Sequence, residues 1–292
     1  MPFERAASRA LVSTVALLAC ACAWLPAWTQ ASSRTSGARA VRLTASFTPE
    51  RLGAGTTVRI GFRVDTAAGR APSPPIDVQL LLPAGLGIAT SDLGLETCTL
   101  SVLEHVGLAG CPTDSLMGHG SALAEVPFGS SFVFEQARVL LFSGPLRNGH
   151  PELLMFASGE FPVLADLVFP SLVLPTGAPF GGLIDTRLPL VPSVPEGPDV
   201  ALVALQTTIG PAGITYYETV KGRRVAFHPR GILLPRSCPR GGFPFAVRLT
   251  FQDGSGAAAS TAVPCPRGRA ARHGRPTRPR GTKSSRVQRH RP

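Results

Sequence analysis

Apolar residues recur at every second position through most of this chain. "RLTASFT" (42–48) and "TTVRIGFRV" (56–64) alternate, and in the second Val58, Ile60, Phe62 and Val64 share one face. Successive side chains of an extended strand point to opposite sides, so this period marks a strand with one buried face. The same texture predicts strands in "IDVQLLLP" (76–83), "GHGSALAEVPFG" (118–129), "SFVFEQARVLLFSG" (131–144), "PELLMFASGE" (151–160) and "FPVLADLVFP" (161–170). It continues in "GGLIDTRLPLVP" (181–192), "DVALVALQTTIG" (199–210), "ITYYETV" (214–220), "RRVAFHPRGILLP" (223–235), "FPFAVRLTFQDGS" (243–255) and "AAASTAVPC" (257–265). Glycine and proline separate these segments, and "KGRR" and "QDGSG" carry hairpin-turn residues. Many short strands with regular breaks predict an all-β fold, a β-sandwich built as one large or two smaller units over residues 42–265. A division near residue 127 stays open, and no repeat of fixed period occurs.

One stretch departs from this texture. Leu100, Leu103 and Val106 fall at helical spacing, and Gly107 and Gly110 end the pattern, which predicts one short helix over 99–108. It lies within "CTLSVLEHVGLAGCP" (98–112), between Cys98 and Cys111, with His105 inside and His119 beyond.

The amino terminus bears on what those cysteines do. Arg5 and Arg9 precede an apolar run from residue 10 to about 25, and small residues follow. This is the layout of a secretory signal peptide over residues 1–31, with Thr29 and Ala31 at the small-residue positions before the cut. Lipid anchoring at Cys20 in "LLAC" and an uncleaved anchor are the alternatives. Residues 32–41 read as a linker. The most apolar later stretch, "FPVLADLVFPSLVLP", is broken by Asp166 and prolines and falls short of the roughly 20 apolar residues a spanning helix needs. The expectation is an exported protein, extracellular or at the cell surface, with no transmembrane helix in the mature chain. Four cysteines then remain in an oxidising compartment: Cys98, Cys111, Cys238 and Cys265. Pairing in sequence order is simplest; Cys98 with Cys238 and Cys111 with Cys265 also suits a packed sandwich. Loops of the sequential size contribute roughly 3–4 kcal/mol each when unstrained.

The formal charge of +11 is localised. Residues 266–292 hold nine arginines and one lysine without an acid: Arg267, Arg269, Arg272, Arg275, Arg278, Arg280, Lys283, Arg286, Arg289 and Arg291. The leader supplies the remaining unit, so residues 32–265 are neutral. The basic segment has almost no apolar residues and reads as disordered. Its expected partners outside the cell are anionic envelope polymers or lipid head groups rather than nucleic acid. Scarce lysine, asparagine and tyrosine reflect a GC-rich coding sequence, which also accounts for arginine in place of lysine.

Candidate chemistry is sparse. Cys98, His105, Cys111 and His119 resemble a zinc set by residue type, but zinc sites bring a ligand pair within two to five residues, and the closest gap here is six. No Gly-x-Ser-x-Gly elbow occurs, and the His and Ser of "GHGSA" (118–122) read as a turn entering a strand. Glu160, Asp166, Asp185, Glu196 and Asp199 are the acids available for paired-carboxylate hydrolysis, and nothing selects a pair among them. Both tryptophans, Trp24 and Trp28, lie in the leader. Tyr216 and Tyr217 point to opposite faces of a strand, so one belongs to the core. "LPTG" (174–177) lacks one residue of a sortase signal and sits mid-chain. Calcium loops and phosphate-binding glycine loops are absent. The sequence therefore predicts no metal, no cofactor and no enzymatic activity. It predicts an exported structural or binding protein held to the envelope by its basic segment, with a secreted hydrolase of envelope glycans as the alternative.

Three stretches carry a likeness: "CPTDSLMGHGSA" (111–122), "PFGGLIDTRLPLVPSVPEGPDVALVALQTTIGP" (179–211) and "GRRVAFHPRGILLPRSCPRGGFPFAVRLTF" (222–251). Together they resemble a group of uncharacterised exported proteins of GC-rich actinobacteria, most specifically at the Cys-Pro steps 111–112 and 238–239. The resemblance implies an exported, disulfide-bearing β protein and transfers no site residue.

Overall fold

The computed structural model describes residues 40–65, 73–88 and 91–266. The expected signal peptide, nearly all of the linker and the charged residues of the basic segment lie outside them.

The fold is all-β. Fourteen strands follow in order: β1 (Val41–Thr48), β2 (Gly55–Val64), β3 (Pro75–Pro83), β4 (Leu116–Phe128), β5 (Ser131–Ser143), β6 (Glu152–Gly159), β7 (Ala165–Pro175), β8 (Phe180–Arg187), β9 (Ala201–Ile209), β10 (Tyr216–Val220), β11 (Arg223–Phe227), β12 (Ile232–Leu233), β13 (Phe243–Phe251) and β14 (Gly256–Val263). One continuous antiparallel sheet runs β1-β2-β9-β4-β5-β6-β7-β8-β3-β13-β14, with β12 added to β2. Its two outer strands, β1 and β14, lie side by side, so the sheet curls into a largely closed, sandwich-like barrel. Closure covers the edges that an open sheet would expose to pairing with other chains. Residue 127 lies inside β4, opposite Phe132, and the strand is continuous through it.

The alternation becomes a filled interior. Phe243, Phe245, Val247, Leu249 and Phe251 of β13 are all at most 2% exposed, and they meet Val58, Ile60, Phe62 and Val64 of β2 in the main core. Phe47 packs edge-on against Phe243 at 5.3 Å between ring centres, within the range aromatic pairs prefer. Tyr216 is the core tyrosine: its hydroxyl donates to the Leu116 carbonyl and accepts from the Gly94 N–H, so the buried oxygen is satisfied. Tyr217 faces out beneath the Arg224 guanidinium, 3.9 Å from the ring centre.

Three boundaries differ from the sequence pattern. The strand expected over 161–170 begins at Ala165 and runs to Pro175, because residues 160–164 form the connection from β6. The segment 223–235 divides into β11 and β12, separated by His228–Gly231, with Gly231 at φ +84°. The expected strand over 181–192 ends at Arg187. The hairpin at "KGRR" does form: Lys221 and Gly222 both have positive φ, as a two-residue primed turn requires.

The predicted helix is α1 (Leu100–His105), one turn shorter than its pattern. Thr99 caps it by accepting from the Val102 N–H, and Gly107 at φ +75° follows its end. Leu103 inserts into an apolar cluster with Phe142, Leu154 and Phe156 on the outer face of β5 and β6. The Cys98–Cys111 disulfide closes this segment over 13 residues, and Cys238–Cys265 closes 27, which is the pairing in sequence order.

Truncating the β13 row should be costly. Phe245→Ala is expected to lose about 3–5 kcal/mol in urea unfolding, from lost burial and the cavity it leaves. Ala258→Ser on the exposed face of β14 should stay within about 0.5 kcal/mol.

Candidate ligand cavity

The inward rows are not equally large. In β13 they are phenylalanine, valine and leucine. Where β4 to β7 face the interior they include Ala122, Ala124, Ala137, Ala157, Gly159 and Ala165. Small side chains at facing positions cannot meet across a barrel, and an apolar cavity of about 130 Å³ remains. Val78 and Leu80 of β3, Val139 of β5, Met155 of β6, Leu167 and Phe169 of β7 and Leu205 of β9 also line it.

Glu135 and Thr186 are the polar side chains that line it. The Thr186 hydroxyl is already bonded to Ser171 Oγ at 2.7 Å. Glu135 is 6% exposed, and the Val163 N–H donates to its carboxylate. Burial pushes its carboxyl above the ordinary value and that hydrogen bond partly opposes the rise; no ionised side chain contributes. Gly159 makes the room, because a Cβ there would collide with Glu135 Oε1. Glu135 belongs to the row Val133, Glu135, Ala137, Val139, Leu141. An acid on the apolar parity of a strand is a signal legible in the sequence, and Glu135 is not among the five acids considered there.

The strand directions put at the cavity's end of the barrel the β4–β5 tip, residues 160–164, residues 188–200 and the β13–β14 turn, together with the β2–β3 connection, whose Ser73 Oγ accepts from the Asp253 N–H. Two of these loops are apolar on both sides. Val163 and Val191 face the cavity, while Phe161 and Leu164 stand 73% and 84% exposed and Leu190 and Val194 also face solvent. Phe128 and Phe134 of the first hairpin are exposed beside them. Both disulfides lie toward the other end, by Ser143 and by Pro239 and Val263.

The residues singled out from sequence do not converge. Cys98 and Cys111 are bonded to each other, which leaves neither thiolate for zinc. His105 sits on α1 with Nδ1 at 2.9 Å from the Ser101 carbonyl, and His119 is exposed on β4. Among the described residues no cluster of three or more metal-ligating side chains occurs. Glu160, Asp166 and Glu196 are exposed. Asp185 accepts from Gln79 on the outer face of β8 at 3.2 Å, and Asp199 accepts from Gln252 at 2.9 Å. The segment "GHGSA" lies wholly within β4, which begins at Leu116, so the turn expected at its start is strand instead. No helix among the described residues is long and apolar enough to cross a membrane. Arg267, Arg269, Arg272, Arg275, Arg278, Arg280, Lys283, Arg286, Arg289 and Arg291 lie beyond the described residues.

No family model matches the chain, and no curated protein or solved structure does. The chemistry of the cavity therefore stands on its own geometry.

The raised carboxyl has a pH consequence. Folded protein retains a proton on Glu135 that the unfolded chain releases near its ordinary value of 4.5. The resulting stability is complete below that value and is lost as pH rises through the folded one. Glu135→Gln should therefore be more stable than the parent at about pH 7, with the difference closing toward about pH 4. Urea midpoints across that range check it.

Proposed function

We propose that this is an exported, non-enzymatic binding protein. Its barrel takes up a small apolar molecule, and its basic C-terminal segment holds it to anionic envelope polymers or lipid head groups. The observation that carries the first part is the cavity: an apolar void walled by alanines, with a single carboxylate and a fringe of exposed phenylalanines and leucines at its end of the barrel. Ligand sites are typically concave and apolar with few polar groups. At about 130 Å³ the void approaches an engineered cavity of roughly 150 Å³ that stays dry and admits benzene. The fitting occupant is a single ring or a short alkyl segment. Support for the second part is the concentration of net positive charge in residues 266–292, where clustered arginines would attract polyanions in a salt-dependent manner.

Benzene, toluene and ethylbenzene should each raise the thermal midpoint of the full chain in a saturable way. Ala124→Leu, which fills the void, should abolish the rise. A rise that is equal in Ala124→Leu, or no rise in the parent, would sink the binding reading. For the anchor, the chain ending at Pro292 should co-sediment with isolated cell envelopes and be released by salt, while a chain ending at Cys265 should remain in solution. Equal sedimentation of the two would remove the anchor.

A further inference from the structure

Glu135 has acceptor capacity that the protein does not use up. An ionised carboxylate offers two oxygens and about four lone-pair sites, and among the described residues the Val163 N–H is the donor it receives. Gly159 holds no side chain that would cover it. No lysine, arginine or histidine lines the cavity, so a ligand carboxylate placed there would find no cationic side chain and would face Glu135. Three of the connections at that end carry acids, while Arg187 closes β8 at the same end and Arg70 lies in the sequence between β2 and β3. Glu160 in the β6–β7 loop, Glu196 and Asp199 in the β8–β9 connection and Asp253 in the β13–β14 turn are acidic, and residues 129–130, 160–164, 188–200 and 252–255 contain no lysine or arginine.

We propose that Glu135 is the head-group determinant of the cavity, and that it selects amphiphiles with a primary ammonium on a single ring or short alkyl body; this rests on the reading of the barrel interior as a ligand site. The ammonium supplies three donors and a compensating charge to a carboxylate that is otherwise costly to keep ionised. The apolar body lies among Ala157, Leu167 and Phe169. A hydroxyl in the same position also donates to the charged carboxylate, but it makes one bond and brings no compensating charge. That difference amounts to roughly tenfold in affinity.

The test is calorimetric titration of the full chain with benzylamine, benzyl alcohol and benzoate at about pH 7. The parent should bind benzylamine about tenfold more tightly than benzyl alcohol, with benzoate weakest. Glu135→Gln should bring the amine and the alcohol to within about twofold, and Ala157→Leu should abolish binding of all three. Circular dichroism spectra matching the parent's are required of both variants. If the ligands bind, Ala157→Leu abolishes binding, and the amine preference is missing or survives in Glu135→Gln, the head-group inference is overturned while the cavity reading stands. If none binds, or Ala157→Leu leaves binding unchanged, the cavity reading fails and takes the inference with it.

Discussion

A closed antiparallel sheet turns every second residue inward, and those inward side chains must together fill the space the closure defines. The volumes along each inward row therefore decide what kind of barrel results. In β13 and β2 the row is phenylalanine, valine, isoleucine and leucine, and the interior is solid. In β4 to β7 the row includes alanine and glycine among larger residues, and the same geometry leaves a void. Both outcomes follow from one rule of packing. The void's single carboxylate is tolerated because Gly159 gives it room and the Val163 N–H satisfies part of it.

The two ends of the barrel are built differently. Toward one end lie the disulfides: Cys98–Cys111 fixes the α1 segment over the outer apolar face of β5 and β6, and Cys238–Cys265 ties the approach to β13 to the end of β14. Cross-links of this kind limit the freedom of the unfolded chain more than they alter folded contacts. At the other end the loops carry exposed Phe161 and Leu164 and have no cross-link. Such a division suits a barrel whose stapled end holds its shape while the opposite end admits a ligand.

Much of this architecture can be read from residue order. The parity of Val58, Ile60, Phe62 and Val64 gives the buried face of β2, and the row from Phe243 to Phe251 gives that of β13. Thr99 and the spacing of Leu100 and Leu103 give α1. Strand order is another matter. β9 sits between β2 and β4, and β3 between β8 and β13, pairings between strands far apart in the chain that local alternation does not encode. The shift of β7 and the division of 223–235 arise from connections whose apolar residues imitate strand texture. Glu135 was within reach, since it breaks the apolar parity of β5. The cavity was not, because it needs the alanines of four neighbouring strands gathered on one wall and the sheet closed over them.

The central claim is that the alanine-lined interior is a real, dry, ligand-accessible void. A crystal of the protein under xenon pressure tests it most directly, because xenon enters apolar cavities and marks them by its electron density. The account predicts one xenon site among Ala157, Leu167 and Phe169 in the parent and none there in Ala157→Leu. Ordered water filling that space, or walls collapsed onto one another with no xenon bound, would contradict it.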